Sequence, residues 1–153
     1  MENKGGPIAV NRKARFDYDI QQTIEAGIVL LGTEIKAIRE GRANISEAFA
    51  KKESGEIWLF NAHISQYSAG GINAHDQTRA RKLLLHKNQI DDLAKQIDTK
   101  GLTLIALKLY IKNHRAKILM GLGRGRKKQD KRRAIIDRER EREAQRAMRS
   151  HRK

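Results

Sequence analysis

Phe16, Tyr18, Ile20, Gln22 and Ile24 alternate with Asp17, Asp19, Gln21, Thr23 and Glu25. A period of two suits a half-buried strand, because successive side chains point to opposite faces. Gly27 interrupts the run, and Ile28 to Leu31 predicts a short buried strand that continues or bends from it. In TEIKAIREG, opened by Gly32 and Thr33, Ile35 and Ile38 share a helical face and Gly41 supplies a stop. A short helix is expected there. Asn44 and Glu47 have capping-box spacing, which predicts one further helical turn.

AFAKK and EIWLFNAHIS flank Ser54 and Gly55, the pattern of a hairpin. In the second arm Trp58, Phe60, Ala62 and Ile64 alternate with Ile57, Leu59, Asn61 and His63, so both faces are partly apolar. YSAGGINAHDQTRA, Tyr67 to Ala80, reads as the longest loop, and RKLLLH as a short strand after it. HKNQIDDLAKQIDTKG is the clearest helix, with Ile90, Leu93, Ala94 and Ile97 on one face and Gly101 at the exit. LTLIALKLYIK and RAKILMGL form a second hairpin around Asn113 and His114. About six antiparallel strands and two or three short helices point to a mainly β fold, a small closed barrel whose closure removes sticky edges.

The pattern stops at residue 124. GRGRKKQDKRRAIIDRERERE, residues 124–144, has almost nothing apolar to bury, and only Ile135, Ile136 and Met148 are large and apolar in residues 124–153. Ordering costs roughly 1–2 kcal/mol per residue, so this tail is expected to be disordered when free. The chain thus divides into a barrel, 1–123, and a basic tail, 124–153. The tail holds 14 Lys/Arg against 5 Asp/Glu, net +9, in a chain whose net charge is +15. A nucleic-acid arm, a targeting signal and a solvated charged helix all fit such a segment. A balance this basic attracts polyanions such as nucleic acid or an anionic membrane.

Other classes recede. The chain has no cysteine, so neither disulfides nor thiolate metal sites exist, and a reducing, cytoplasmic setting fits. MENKGGPIAVNRKARF lacks the apolar core of a secretory leader, and no apolar run is long enough to span a membrane. His63, His75, Asp76, His86 and His114 follow no known ligand spacing, and no phosphate-cradling glycine loop or nucleophile triad is evident. No enzyme activity, metal or cofactor is expected. The aromatics Phe16, Tyr18, Trp58 and Phe60 fall in strand alternation and are assigned to the core, which argues against a stacking platform for single strands.

The chain resembles the family of tmRNA-binding small protein B, the SsrA-binding proteins. The resemblance rests on NRKA at 11–14, EAGIVLLGTEIKAIREGRANI at 25–45, WLFNAHIS at 58–65, RKLLLHK at 81–87, KGLTLIALKLYIKN at 100–113, RAKI at 115–118 and DKR at 130–132. It implies an OB-like barrel that holds the tRNA-like domain of tmRNA, and a tail that enters the empty messenger channel of a stalled ribosome near its decoding centre and becomes helical there. The implied process is trans-translation, by a monomer. A general structured-RNA-binding or ribosome-associated protein is the alternative.

The resemblance also implies site residues. Asn11, with Arg12 and Lys13 beside it, and Glu34 are carried over as tmRNA contacts, while Arg81, Lys82 and Lys117 are expected at phosphates. For Glu34 the competing assignment is a first-turn acid that complements the helix dipole; for Asn11 it is a residue that caps or turns the chain. Lys127, Lys128, Gln129, Asp130, Lys131 and Arg132 form the expected ribosome-binding segment, with Asp130 also suited to cap a helix. Gln77, Ala80 and His114 depart from the family pattern, and so does Gln129, which stands where relatives usually carry Tyr or His.

Overall fold

The computed structural model describes residues 6–66, 75–126 and 128–151. Nine strands and four helices occur in the described residues, in the order β1 (Ala9–Val10), α1 (Ala14–Asp17), β2 (Tyr18–Ile28), α2 (Gly32–Arg39), β3 (Ala43–Asn44), β4 (Phe49–Glu53), β5 (Glu56–Phe60), β6 (His63–Ile64), β7 (Arg81–Leu84), α3 (Lys87–Lys100), β8 (Thr103–Lys112), β9 (Arg115–Gly125) and α4 (Lys128–His151).

The hairpins lie where the turn residues place them. Ser54 and Gly55, and Asn113 and His114, all have positive φ, the geometry in which a two-residue turn matches the strand twist. Pairing then runs β8–β4–β5–β7–β2–β9 and back to β8, a ring of six antiparallel strands, with β1 added along β8. Inside it Ile57, Leu59, Leu83, Leu104, Leu109, Ile118, Met120 and Leu122 are buried, and Ala37 and Ile38 of α2 with Ile90 and Leu93 of α3 pack against them.

Three local readings change. Alternation places the first strand at Phe16, but residues 14–17 form the single turn α1 and the strand starts at Tyr18. The strand ends at Ile28, and the predicted continuation is not buried: Val29 is 44% and Leu31 50% exposed. Asn44 caps no helix; it lies in β3 opposite His63, and its Oδ1 accepts bonds from the amide and hydroxyl of Ser46.

Two features of the long strands have no counterpart in simple alternation. β2 slips register against β9 between Ile20 and Gln22, a bulge that bends the strand. Gly123 makes the close approach possible, since a Cβ there would stand 2.4 Å from the carbonyl oxygen of Asp19. β8 slips against β9 between Ala106 and Lys108, and the consecutive Ala106 and Leu107 are both buried.

The aromatics depart from their expected place. Trp58, Phe60 and Phe49 are half-buried on the face of β4 and β5 opposite the core residues Ile57 and Leu59. The rings of Phe49 and Phe60 stack at 5.6 Å, with the Lys51 ammonium 5.0 Å from the Phe60 centroid.

Residues 128–151 form one helix whose described side chains are exposed. Arg138 and Glu141, and Arg140 and Glu143, are spaced for i,i+3 pairing, worth only a few tenths of a kcal/mol each. The helix begins at Lys128, which places Asp130 inside its first turn rather than at its cap.

Candidate nucleic-acid interface

The predicted RNA-binding residues upstream of the tail separate into three places. Lys82 on β7 and Lys117 on β9 come together, because β2 lies between their strands and Gly27 pairs with Leu84 on one side and Lys117 on the other. They rim a groove that also takes Glu25, Glu56, Leu84, His86 and Gln89. A Cβ at Gly27 would stand only 3.3 Å from Leu84, so the glycine gives that side chain room. Leu84 is 55% exposed, an apolar group presented between cations.

The groove also carries carboxylates. Lys82 Nζ is 3.6 Å from Glu56, an exposed pair worth at most about 1 kcal/mol and readily exchanged for a phosphate. Glu25 accepts a hydrogen bond from the Tyr110 hydroxyl and lies 3.8 Å from Lys112 Nζ. Partial burial and that carboxylate push the Tyr110 phenol up to about 12. The groove thus offers cations for phosphates, exposed acceptors for base amino groups or 2′-hydroxyls, and an apolar surface for a base or ribose. Sequence reasoning missed Glu25, Glu56 and Leu84; their assembly depends on strand neighbours that no local pattern specifies.

Glu34 and Arg81 occupy a second place, inside the protein, where both are 0% exposed. Arg81 Nε donates to Glu34 Oε2 at 2.6 Å, Arg79 Nη2 to Oε1 at 2.5 Å, and the Leu31 amide to Oε1 at 2.8 Å. Arg81 also donates to the carbonyls of Ala62, Asp76 and Gln77, which ties the loop before β7 to the barrel. Burial alone would raise the Glu34 pKa; hydrogen bonds from Arg79, Leu31 and Arg81 outweigh it and hold the carboxyl below its ordinary 4.5. Burial lowers the Arg81 pKa against the opposing pull of Glu34. The expected surface acceptor and phosphate ligand therefore form a core ion pair. Of this cluster Arg79, 28% exposed, reaches the surface, and sequence reasoning passed over it.

Asn11 occupies the third place. It is 6% exposed and donates from Nδ2 to the Ala106 carbonyl at 2.9 Å, anchoring the start of α1 to β8. Arg12 and Lys13 are exposed beside it. In the tail, Lys127 and the side chains of Lys128, Gln129, Asp130 and Lys131 lie outside the described residues, while Arg132 is exposed. Among the described residues no cluster of metal-ligating side chains occurs and no helix is long and apolar enough to cross a membrane.

The family model described as SmpB protein matches residues 8–150. An SsrA-binding protein from Halalkalibacterium halodurans is 54% identical over 147 residues, spanning 96% of each chain. Another, from Geobacillus sp. strain WCH70, is 51% identical over 152 residues, 99% of this chain and 98% of the relative. A solved structure described as "tmRNA-SmpB: a journey to the center of the bacterial ribosome" superposes with a TM-score of 0.66 at 43% identity, covering 82% of this chain and 92% of that one.

Proposed function

The chain belongs to the SmpB family of SsrA-binding proteins, and from that premise we propose how its surfaces divide the work of an adaptor. It is an RNA-binding protein of trans-translation, not an enzyme, and its partners are tmRNA and the ribosome. The observation that carries the reading is a match at about half identity over nearly the whole chain.

In this reading residues 1–123 hold the tRNA-like domain of tmRNA and deliver it to stalled ribosomes. The Lys82–Lys117 groove is the contact surface: its cations attract phosphates, and Glu25 and Glu56 take the acceptor role first assigned to Glu34. Glu34 and Arg81 contribute indirectly, by fixing the loop that precedes β7 and presenting Arg79. Residues 124–153 enter the empty messenger channel, where a net +9 segment is drawn to ribosomal RNA. The Lys127–Arg132 segment senses that no messenger is present, and Gln129 hydrogen-bonds where an aromatic ring would stack. A cytoplasmic location accompanies work on the ribosome.

Two experiments test this. Pull-down from a bacterial lysate followed by RNA sequencing is expected to enrich tmRNA strongly, whereas recovery dominated by unrelated RNAs favours a general binder. Replacing Asp130, Lys131 and Arg132 together by alanine changes net charge by one unit, so it tests placement rather than bulk attraction. Peptide tagging on stalled ribosomes is expected to collapse, and full tagging at matched protein levels would show that the tail is only a charged arm.

A further inference from the structure

The aromatic side chains that alternation assigns to the core form a surface instead. Phe49 lies opposite Phe60 and Lys51 opposite Trp58 where β4 pairs with β5, and Trp58 lies opposite Lys82 where β5 pairs with β7. Ile57 and Leu59 are buried inside the barrel, so the pleat turns Trp58 and Phe60 outward. Arg81 and Leu83 are buried on either side of Lys82, which therefore faces outward too. Across three strands the outer face carries the row Lys51, Trp58, Lys82, with the Phe49–Phe60 stack beside it. The Cβ atoms of opposed residues stand about 5 Å apart, so a lysine stands on each side of the indole.

The row defines what would fit. Trp58 is half-buried, so part of its surface meets solvent, and the core beneath it is filled by Ile57 and Leu59. An aromatic ring takes the flat face of an unpaired base, and cations beside it take the phosphates on either side of that base. Lys51 and Lys82 pair with Glu53 at 4.0 Å and Glu56 at 3.6 Å, solvated contacts weak enough to give way to a phosphate. Lys82 also rims the groove that it shares with Lys117, so the aromatic face is continuous with the surface that attracts the RNA backbone. That continuity favours RNA over a protein partner.

We propose that the outer face of β4 and β5 is a stacking platform, on which Trp58 receives one unpaired base of the tRNA-like domain while Lys82 holds an adjoining phosphate. The inference rests on the RNA-adaptor reading and deepens it, because none of the RNA contacts carried over from the family lies on β4 or β5. Every base has a π-face, so the platform adds affinity with little sequence preference. What it selects is a base splayed out of its stack, a property of the RNA's fold.

Trp58 is the sole tryptophan of the chain, so its fluorescence reports on this face directly. Titrating the full-length protein with the tRNA-like domain of tmRNA is expected to quench that emission along the binding curve given by anisotropy of the labelled RNA, and to shield the indole from acrylamide. Trp58→Leu keeps apolar bulk but removes the ring. It is expected to weaken binding about five- to a hundredfold, the scale of stacking one base, with the salt slope unchanged because no phosphate contact is lost. Trp58→Phe is expected to recover most of that loss. A folded Trp58→Leu that binds within about twofold of wild type overturns the proposal, and so does a Trp58→Phe that binds no better than Trp58→Leu. Should Trp58→Leu fail to fold, the wild-type protein decides: acrylamide quenching that is the same with and without bound RNA overturns the proposal. Normal RNA binding by Trp58→Leu with loss of ribosome binding overturns it too, and gives the face to a ribosomal component. Failure of the tRNA-like domain to bind the wild-type protein at all would instead count against the adaptor reading.

Discussion

Arginine and glutamate perform opposite tasks in two regions of this molecule. Around Glu34 they are desolvated: Glu34 and Arg81 are fully buried, their bonds are short, and the carboxyl is held ionised. Along α4 the described side chains of the same residue types are exposed. A buried charge costs several kcal/mol to desolvate and is tolerated only with its partners in place, so it fixes geometry. A solvated charge keeps its hydration and fixes little, but it contributes to the field that draws in an RNA. Charge count alone does not separate the two; burial does.

Deleting residues 130–153 sharpens the contrast most. Tagging on stalled ribosomes is expected to be abolished, while the denaturation midpoint of the barrel and its binding of the tRNA-like domain are largely retained. Loss of the barrel on deletion would show that α4 carries stability its exposure does not reveal.

The reverse experiment is Glu34→Ala. It strands Arg81 as an unpaired buried cation, and urea denaturation is expected to show a loss of about 3–5 kcal/mol. Any drop in RNA affinity should then follow the folded fraction. A variant of native stability that binds tmRNA poorly would restore Glu34 as a direct contact.

In the groove the effects are smaller. Lys82→Ala and Lys117→Ala are each expected to weaken tmRNA binding without unfolding the barrel, and to reduce the slope of log affinity against log salt by about one. An unchanged slope would remove that lysine from the interface.

The pH response follows the same division. Because the folded pKa of Glu34 lies below its ordinary 4.5, its contribution to stability is complete above the unfolded value and is lost as pH falls through the folded one. Acid denaturation of the wild type should thus show a limb below about pH 4.5 that Glu34→Gln lacks. The smallest effect is at the β8–β9 turn, where His114 sits at a φ of +64°. His114→Gly relieves the steric cost of that conformation and is expected to change stability by less than about 1 kcal/mol, toward stabilisation, read as a shift in melting temperature.

Much of the architecture was determined locally. Ser54–Gly55 and Asn113–His114 fixed both hairpins, because few residues accept positive φ. The spacing of Ile90, Leu93 and Ala94 fixed α3 and its buried face, and Gly101 ended it in the left-handed conformation. The seven sequence blocks fixed the family, whereas β9 runs on through Gly125, past the change in composition at residue 124. The sites were decided elsewhere. Glu34 and Arg79 are 45 residues apart, and Lys82 and Lys117 are brought together by strand pairing through β2, so their surroundings depend on how the ring closes. Whether a charged side chain is a ligand or a strut depends on its solvation, a property of everything packed around it. Period-two alternation gives the two faces of a strand but not which one meets the core. That is why Trp58 and Phe60, read as core, lie on the outer face, and why Glu34 and Arg81, read as surface, lie within.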